Sequence, residues 1–237
     1  MHTINTIPMK RLFPILLACV LSGAAFAQEA FLLPDYEGIQ NMGQAEYYAL
    51  LNRFQAQDTT LSIVDLQTIY YGSAFYGNPS NGLDNRRLNA ITDTKGNEDA
   101  ILYVDSVLAT SPLNLGSLLT RFTLAYHAHD AITTSAYFWQ YNRLVDAIYA
   151  TGDARSEETA LHVVCVDDEY TIMYYVMEVQ PEGQMLTSSL CDKIDIVTKN
   201  GTKLPVYFDV QLILALRNRM FSSDKKPFHF TYKKIEP

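Results

Sequence analysis

Three adjacent carboxylates, Asp167, Asp168 and Glu169, stand between two apolar runs and are followed by Tyr170. Carboxylates this close suit two tasks: holding a hard cation through oxygen ligands, or supplying an acid and a base to one reaction. Both tasks need the groups to converge. Successive residues of a strand point to opposite faces, so on a strand the three would diverge. The competing reading is an acidic tight turn between two strands, with Glu169 or Tyr170 held against the rest of the fold. Asp153, Ser156 and His162 contain the residue types of a nucleophilic triad, but no Gly-x-Ser-x-Gly elbow surrounds Ser156. His127, His129 and Asp130 are metal-ligand types. Residues two apart on a helix point about 200° apart, so these imidazoles separate unless the helix has already ended. A solvated helix terminus, where imidazole meets the negative end of the dipole, also accounts for them. His162 lies in an apolar run and reads as a core or edge residue. His229 alternates with two aromatics and reads as facing solvent.

Other residues suit binding rather than reaction. Tyr70, Tyr71 and Tyr76 cluster around Gly72. Adjacent helical residues lie about 100° apart, so one of Tyr70 and Tyr71 joins a core stripe and the other is free to contact a partner. Alternatively both wedge between helices, with Gly72 permitting close approach. Asp153, Glu169 and Tyr170 complete the candidate binding set. Cys165 and Cys191 form either a bridge or two separate buried thiols. Asp58-Thr59-Thr60 and Asp105-Ser106-Val107 match a short acidic–hydroxyl–aliphatic pattern for O-glycosylation, with Thr59 the better acceptor because a loop is expected there. No Walker loop, dinucleotide fingerprint or C-x-x-C pair is present, so no cofactor is expected.

These residues need elements to position them. Tyr47, Leu50, Leu51 and Phe54 form a helical stripe within residues 45–56. Ser62 and Asp65 make a capping-box pair opening a second helix, with Ile63, Leu66, Ile69 and Tyr70 on one face and an end near Gly72. Residues 77–97 read as irregular, with a helical turn at 88–91. A third helix starts at Glu98 and ends at Ser111-Pro112. Asn114 caps a fourth, and a fifth runs from Asp130 to about Ala150. Ala100, Val104 and Pro112 fall at the spacing of a tetratricopeptide second helix and its closing proline. The next copy needs a small residue near Thr134 and a proline near Asp146; neither fits, so a single repeat-like hairpin is expected.

Beyond Gly152 the hydrophobic period falls from 3.6 to 2. Residues 161–166, 170–179, 185–190, 193–198 and 203–208 read as strands, with a turn at Pro181-Glu182-Gly183 and a hairpin at Asn200-Gly201. Residues 210–221 return to helical spacing. Phe228, Phe230 and Tyr232 suit a last strand. The class is α+β: a helical half, then an antiparallel sheet, then a closing helix.

Residues 1–27 read as a signal peptide, with Lys10 and Arg11, a short apolar core and Ala25-Phe26-Ala27 before Gln28. The rival is a lipoprotein signal ending at Cys19, which would anchor the chain to a membrane. The remainder, 28–237, reads as one domain: 28–150 mainly helical and 151–237 mainly strand. The net charge is −8, and the signal removes only basic residues. That balance argues against nucleic-acid partners, which need a basic footprint. No later stretch is apolar enough to span a bilayer.

Three segments carry a family resemblance: DTTLSIVDLQTIYYGSAF from Asp58, TGDARSEETALHVVCVDDEY from Thr151, and NGTKLPVYFDV from Asn200. In order and spacing they resemble the exported family catalogued as domain of unknown function 4919, found mainly in Bacteroidetes. The resemblance implies a compartment and a domain extent, and no activity. A Gly is expected where Ala154 stands, so the turn after Gly152 is not read as an anion-binding loop. The leading expectation is a non-catalytic periplasmic or cell-envelope module contacting a protein or a glycan. The alternative is a hydrolase or other enzyme using carboxylates near Asp153, Asp167 and Glu169.

Overall fold

The computed structural model describes residues 31–79 and 82–221. The signal segment, Asn81 of the Asn81-Gly82 turn, and Phe228, His229, Phe230 and Tyr232 lie outside these residues.

Seven helices come first: α1 (Tyr36–Asn41), α2 (Gln44–Gln55), α3 (Ile63–Tyr76), α4 (Asn85–Lys95), α5 (Asn97–Thr110), α6 (Leu115–His127) and α7 (Ala131–Tyr149). Their starts are written in local chemistry. Ser62 and Asp65 close a reciprocal capping box, with Asp65 N donating to Ser62 Oγ at 3.1 Å and Ser62 N donating to Asp65 Oδ2 at 2.8 Å. Asn114 accepts from the Ser117 amide, and Asp130 accepts from the Thr133 amide. α5 packs on α6 and α6 on α7. Ala100 and Val104, the repeat-like positions of α5, are fully buried.

Two helical expectations are corrected. Residues 85–95 form a full helix, α4, capped by Asp84. α3 does not stop near Gly72 but runs on to Tyr76. Gly72 sits where α2 crosses α3: a Cβ there would lie 2.5 Å from Tyr47 Cε2. α3 packs against α1, α2 and α7, so it is buried nearly all round, not along one stripe.

The second half holds β1 (Leu161–His162), α8 (Val166–Thr171), a π-helical turn (Ile172–Val176), β2 (Gln180–Leu186), β3 (Cys191–Val197), β4 (Lys203–Asp209) and α9 (Gln211–Phe221). The sheet order is β1-β4-β3-β2. The Asn200-Gly201 hairpin joins β3 to β4, and Gly201 takes φ +82°. The sheet is mixed, not purely antiparallel, because β1 lies parallel to β4. That pairing is set by tertiary contacts such as Tyr207 N donating to Ala154 O at 3.0 Å.

The expected strand over 170–179 is a helix instead, made of α8 and the π turn. β propensity reports the environment as much as the backbone. Here Asp168 and Glu169 are buried in the first turn of a helix while Asp167 is exposed, so the burial follows one helical face and does not alternate. Ile172 and Met173 turn inward while Tyr174 and Tyr175 are exposed. Pro181 and Gly183 do not turn the chain; they lie in the edge strand β2, with a bulge between them. One core cluster runs from Tyr36 and Tyr47 through Leu144 to Phe208 and Leu212, joining the helices to the sheet. No helix among the described residues is long and apolar enough to cross a membrane.

Candidate functional site

The sequence-chosen residues do not converge. Asp167 is exposed, while Asp168 and Glu169 are turned inward. The acidic run is thus the first turn of a helix rather than a turn between strands. Asp153 stabilises its own loop: its Oδ1 accepts from Thr159 Oγ1 at 2.6 Å and from Arg155 N at 3.1 Å. Ala154 takes the left-handed φ of +62°, which explains why Gly is expected there. The Asp153 and Ala154 amides both donate to Thr159 O, so they do not form a nest for an anion.

His162 is buried beside different partners from those of a Ser156 triad. Its Nδ1 lies 3.0 Å from Tyr36 OH, and its Nε2 lies 4.0 Å from Asp209 Oδ2. Ser156 Oγ instead meets Thr159 Oγ1 at 3.2 Å. Burial lowers the pKa of His162, opposed by the Asp209 charge. His129 follows α6 in the left-handed region at φ +57°, and the Asp130 carboxylate caps α7. Thr59 is exposed in a turn whose Asp58 carboxylate is held by Thr60 and Arg53.

Tyr70 and Tyr71 are both 0 % exposed, which corrects the expectation that one of them faces a partner. Tyr71 OH donates to His162 O at 3.0 Å. Tyr70 OH donates to Asp168 Oδ2 at 2.6 Å and accepts from the Val164 amide at 3.3 Å. Tyr76 is partly buried and its OH donates to carbonyls of the α1–α2 turn. Cys165 and Cys191 are separate buried thiols. Burial and Asp168 push the Cys165 thiol well up, and burial pushes Cys191 to about 12.

A cleft of about 260 Å³ opens between α2, the end of α3 and the α5–α6 turn. Tyr47, Tyr48 and Tyr76 wall one side, with the Tyr47 and Tyr76 rings stacked 4.9 Å apart. Asn52, Gln55, Asn78, Ser111 and Asn114 supply neutral polar edges, and Asp168 lies at the floor. Asp168 is 1 % exposed. Burial raises its carboxyl pKa to about 7, against the Tyr70 and Cys165 hydrogen bonds that favour ionisation. Its Oδ1 has no hydrogen-bond partner of ordinary geometry. Glu169, the next residue, is buried but is not among the residues lining the cleft. Burial and the Asp192 charge push its carboxyl up to about 9, and neither of its oxygens is hydrogen-bonded. Tyr170 is half-buried and donates to Gln184 Oε1, which belongs to the side chain bonded to Asp192.

Of the residues around this cleft, the sequence reading named Tyr76 as a binder and Asp168 only within the acidic run. Tyr47 and Tyr48 were missed. Their signal was an adjacent Tyr pair with one member on the α2 stripe.

The chain is therefore an α+β protein with a tyrosine-walled cleft over one buried acid. Residues 36–219 match the family model described as Domain of unknown function (DUF4919), and the chain belongs to that family. No curated protein and no solved structure matches it.

Proposed function

We propose that this chain is an exported, non-catalytic module of the cell envelope of a Bacteroidetes-type bacterium, and that it binds a glycan or protein partner through the cleft. The cleft carries the reading. It joins aromatic faces, neutral amides and hydroxyls, a combination that suits a polar ligand with one flat face. A hydrolase needs an acid with a base or nucleophile opposite it. Among the described residues lining the cleft, Asp168 is accompanied by no second carboxylate, histidine, lysine or cysteine. Asp153, Asp167 and Glu169 lie outside the lining. Residues 28–237 act as the mature domain, and the exposed Thr59 is the proposed O-glycosylation acceptor.

The test fills the cleft. Ala109 lines it and is exposed, so Ala109→Trp adds bulk there without opening the core. Mature protein and variant are each screened against oligosaccharides released from the envelope. Retention by the natural protein and loss in the variant is the expected result. An unchanged set of retained molecules would refute the cleft as the contact site. Hydrolysis of any bound oligosaccharide would replace the binding reading with the enzymatic one. Sequencing the exported protein should begin at Gln28; a lipid on Cys19 would make it an anchored form instead.

A further inference from the structure

The floor and the walls of the cleft ask for different things of a ligand, and together they narrow its class. No lysine or arginine is found among the described residues that line the cleft, so an anionic group would meet Asp168 with no counter-charge from them. Asp168 Oδ1 is buried without a hydrogen bond of ordinary geometry, so a ligand donor, neutral or charged, has an acceptor to meet there. A buried polar atom left without a partner costs stability, and a donor that reaches it recovers that cost. The strongest donor for a carboxylate oxygen is a cationic N–H. Above the floor, Tyr48 is 39 % exposed and stands edge-on to Tyr47, offering a ring face at the mouth. Such a face suits the C–H side of a sugar ring or a nearby cation. The net charge of −8 draws cations toward the protein.

We propose that the cleft binds the protonated amine of an amino sugar, with Asp168 as its counter-ion and the tyrosine wall packing on the sugar ring. This deepens the glycan reading and rests on it. Several groups face Asp168: Tyr70 from α3, Tyr141 from α7, the Leu115 amide from α6, and Cys165, Asp167 and Glu169 from its own segment. None is a cation, so the ammonium would be the first positive charge beside it. Burial holds the carboxyl near 7. An ammonium alongside favours the ionised form, so binding expels a proton from Asp168 when the pH is below about 7.

The experiment is calorimetric titration of the mature protein with glucosamine, and with N-acetylglucosamine as the neutral counterpart. Glucosamine should bind at least about tenfold more tightly, because acetylation removes the charge that pairs with Asp168. Repeating the glucosamine titration at pH 6 in buffers of different ionisation heat should show net proton release. Asp168→Asn should bring the two sugars to similar affinity; if that variant fails to fold, proton release by the natural protein carries the test. Equal binding of both sugars without proton release would overturn the ammonium inference and leave the glycan reading standing. Binding of neither, while Ala109→Trp still abolishes retention of envelope oligosaccharides, would likewise overturn this inference alone. Binding of neither, with Ala109→Trp unchanged, would overturn both.

Discussion

Tyr71 and Asp153 show how one residue type changes role with its surroundings. Tyr71 looks like a contact residue in the chain and is a core residue in the fold, packed edge-on against Tyr36 and bonded to the His162 carbonyl. Tyr71→Ala should therefore act on stability, by about 3–5 kcal/mol, as other buried aromatic truncations do. Urea unfolding of the purified variant measures it, and a loss below about 1 kcal/mol would contradict the buried position. Asp153 is exposed and holds a turn. Asp153→Ala should cost about 0.5–2 kcal/mol through the lost Thr159 and Arg155 contacts, with Asp153→Asn recovering part of it. The same unfolding measurement separates the two variants.

At the scale of elements, the α2–α3 crossing depends on a side chain that is missing. Gly72 lies in mid-helix, where glycine ordinarily weakens the structure. It is tolerated there because Tyr47 occupies the space of its missing side chain. Gly72→Ala should push Tyr47 aside and cost about 1–3 kcal/mol. Gly116, in the first turn of α6, is the contrast: a methyl there meets neighbours at 3.7 Å, an ordinary contact. Gly116→Ala should be neutral or stabilising, by up to about 1 kcal/mol. Thermal unfolding should show the Gly72→Ala midpoint falling and the Gly116→Ala midpoint holding or rising. Because Tyr47 also walls the cleft, Gly72→Ala should weaken any cleft ligand even where the protein stays folded. The fate of residues 170–179 belongs to this scale as well. Their β-branched and aromatic residues have the composition of a strand, but inward Asp168, Glu169, Ile172 and Met173 lie on one face of a helix that wraps the core.

For the whole molecule, the buried acids link folding to pH. The Glu169 carboxyl is held near 9 in the fold against an ordinary 4.5, so the folded state favours its protonated form. That contribution is complete below pH 4.5, declines as pH rises from there to about 9, and is flat above. Relative to Glu169→Gln, the natural protein should lose stability across that window, at up to about 1.4 kcal/mol per pH unit. Urea midpoints at each pH give the difference curve, and parallel curves would show that folding leaves the Glu169 carboxyl unshifted. The two thiols test the packing of the strand half. Cys165 and Cys191 should resist modification in the folded protein and both react once it is unfolded without reductant. Absence of free thiols after unfolding would mean a bridge.

The sequence by itself determined the parts of this protein whose physics is local. The Ser62–Asp65 box, the Asn114 and Asp130 caps, the stripe of α2 and the Asn200-Gly201 hairpin each involve residues within a few positions, so their signatures survive without the fold. The same holds for the family, carried by three short segments in order. The tertiary structure decided everything that depends on residues far apart. It placed both Tyr70 and Tyr71 inside, because α3 is covered by α1, α2 and α7 and no single-helix pattern reports how many neighbours a helix has. It laid β1 parallel to β4, since two residues of pairing take their direction from the loop against which they pack. It built the cleft from α2, α3 and the α5–α6 turn over Asp168, which follows Tyr70 by 98 positions yet accepts a hydrogen bond from its hydroxyl at 2.6 Å. A carboxyl acquires an altered pKa from its burial, and burial is a property of the assembled chain.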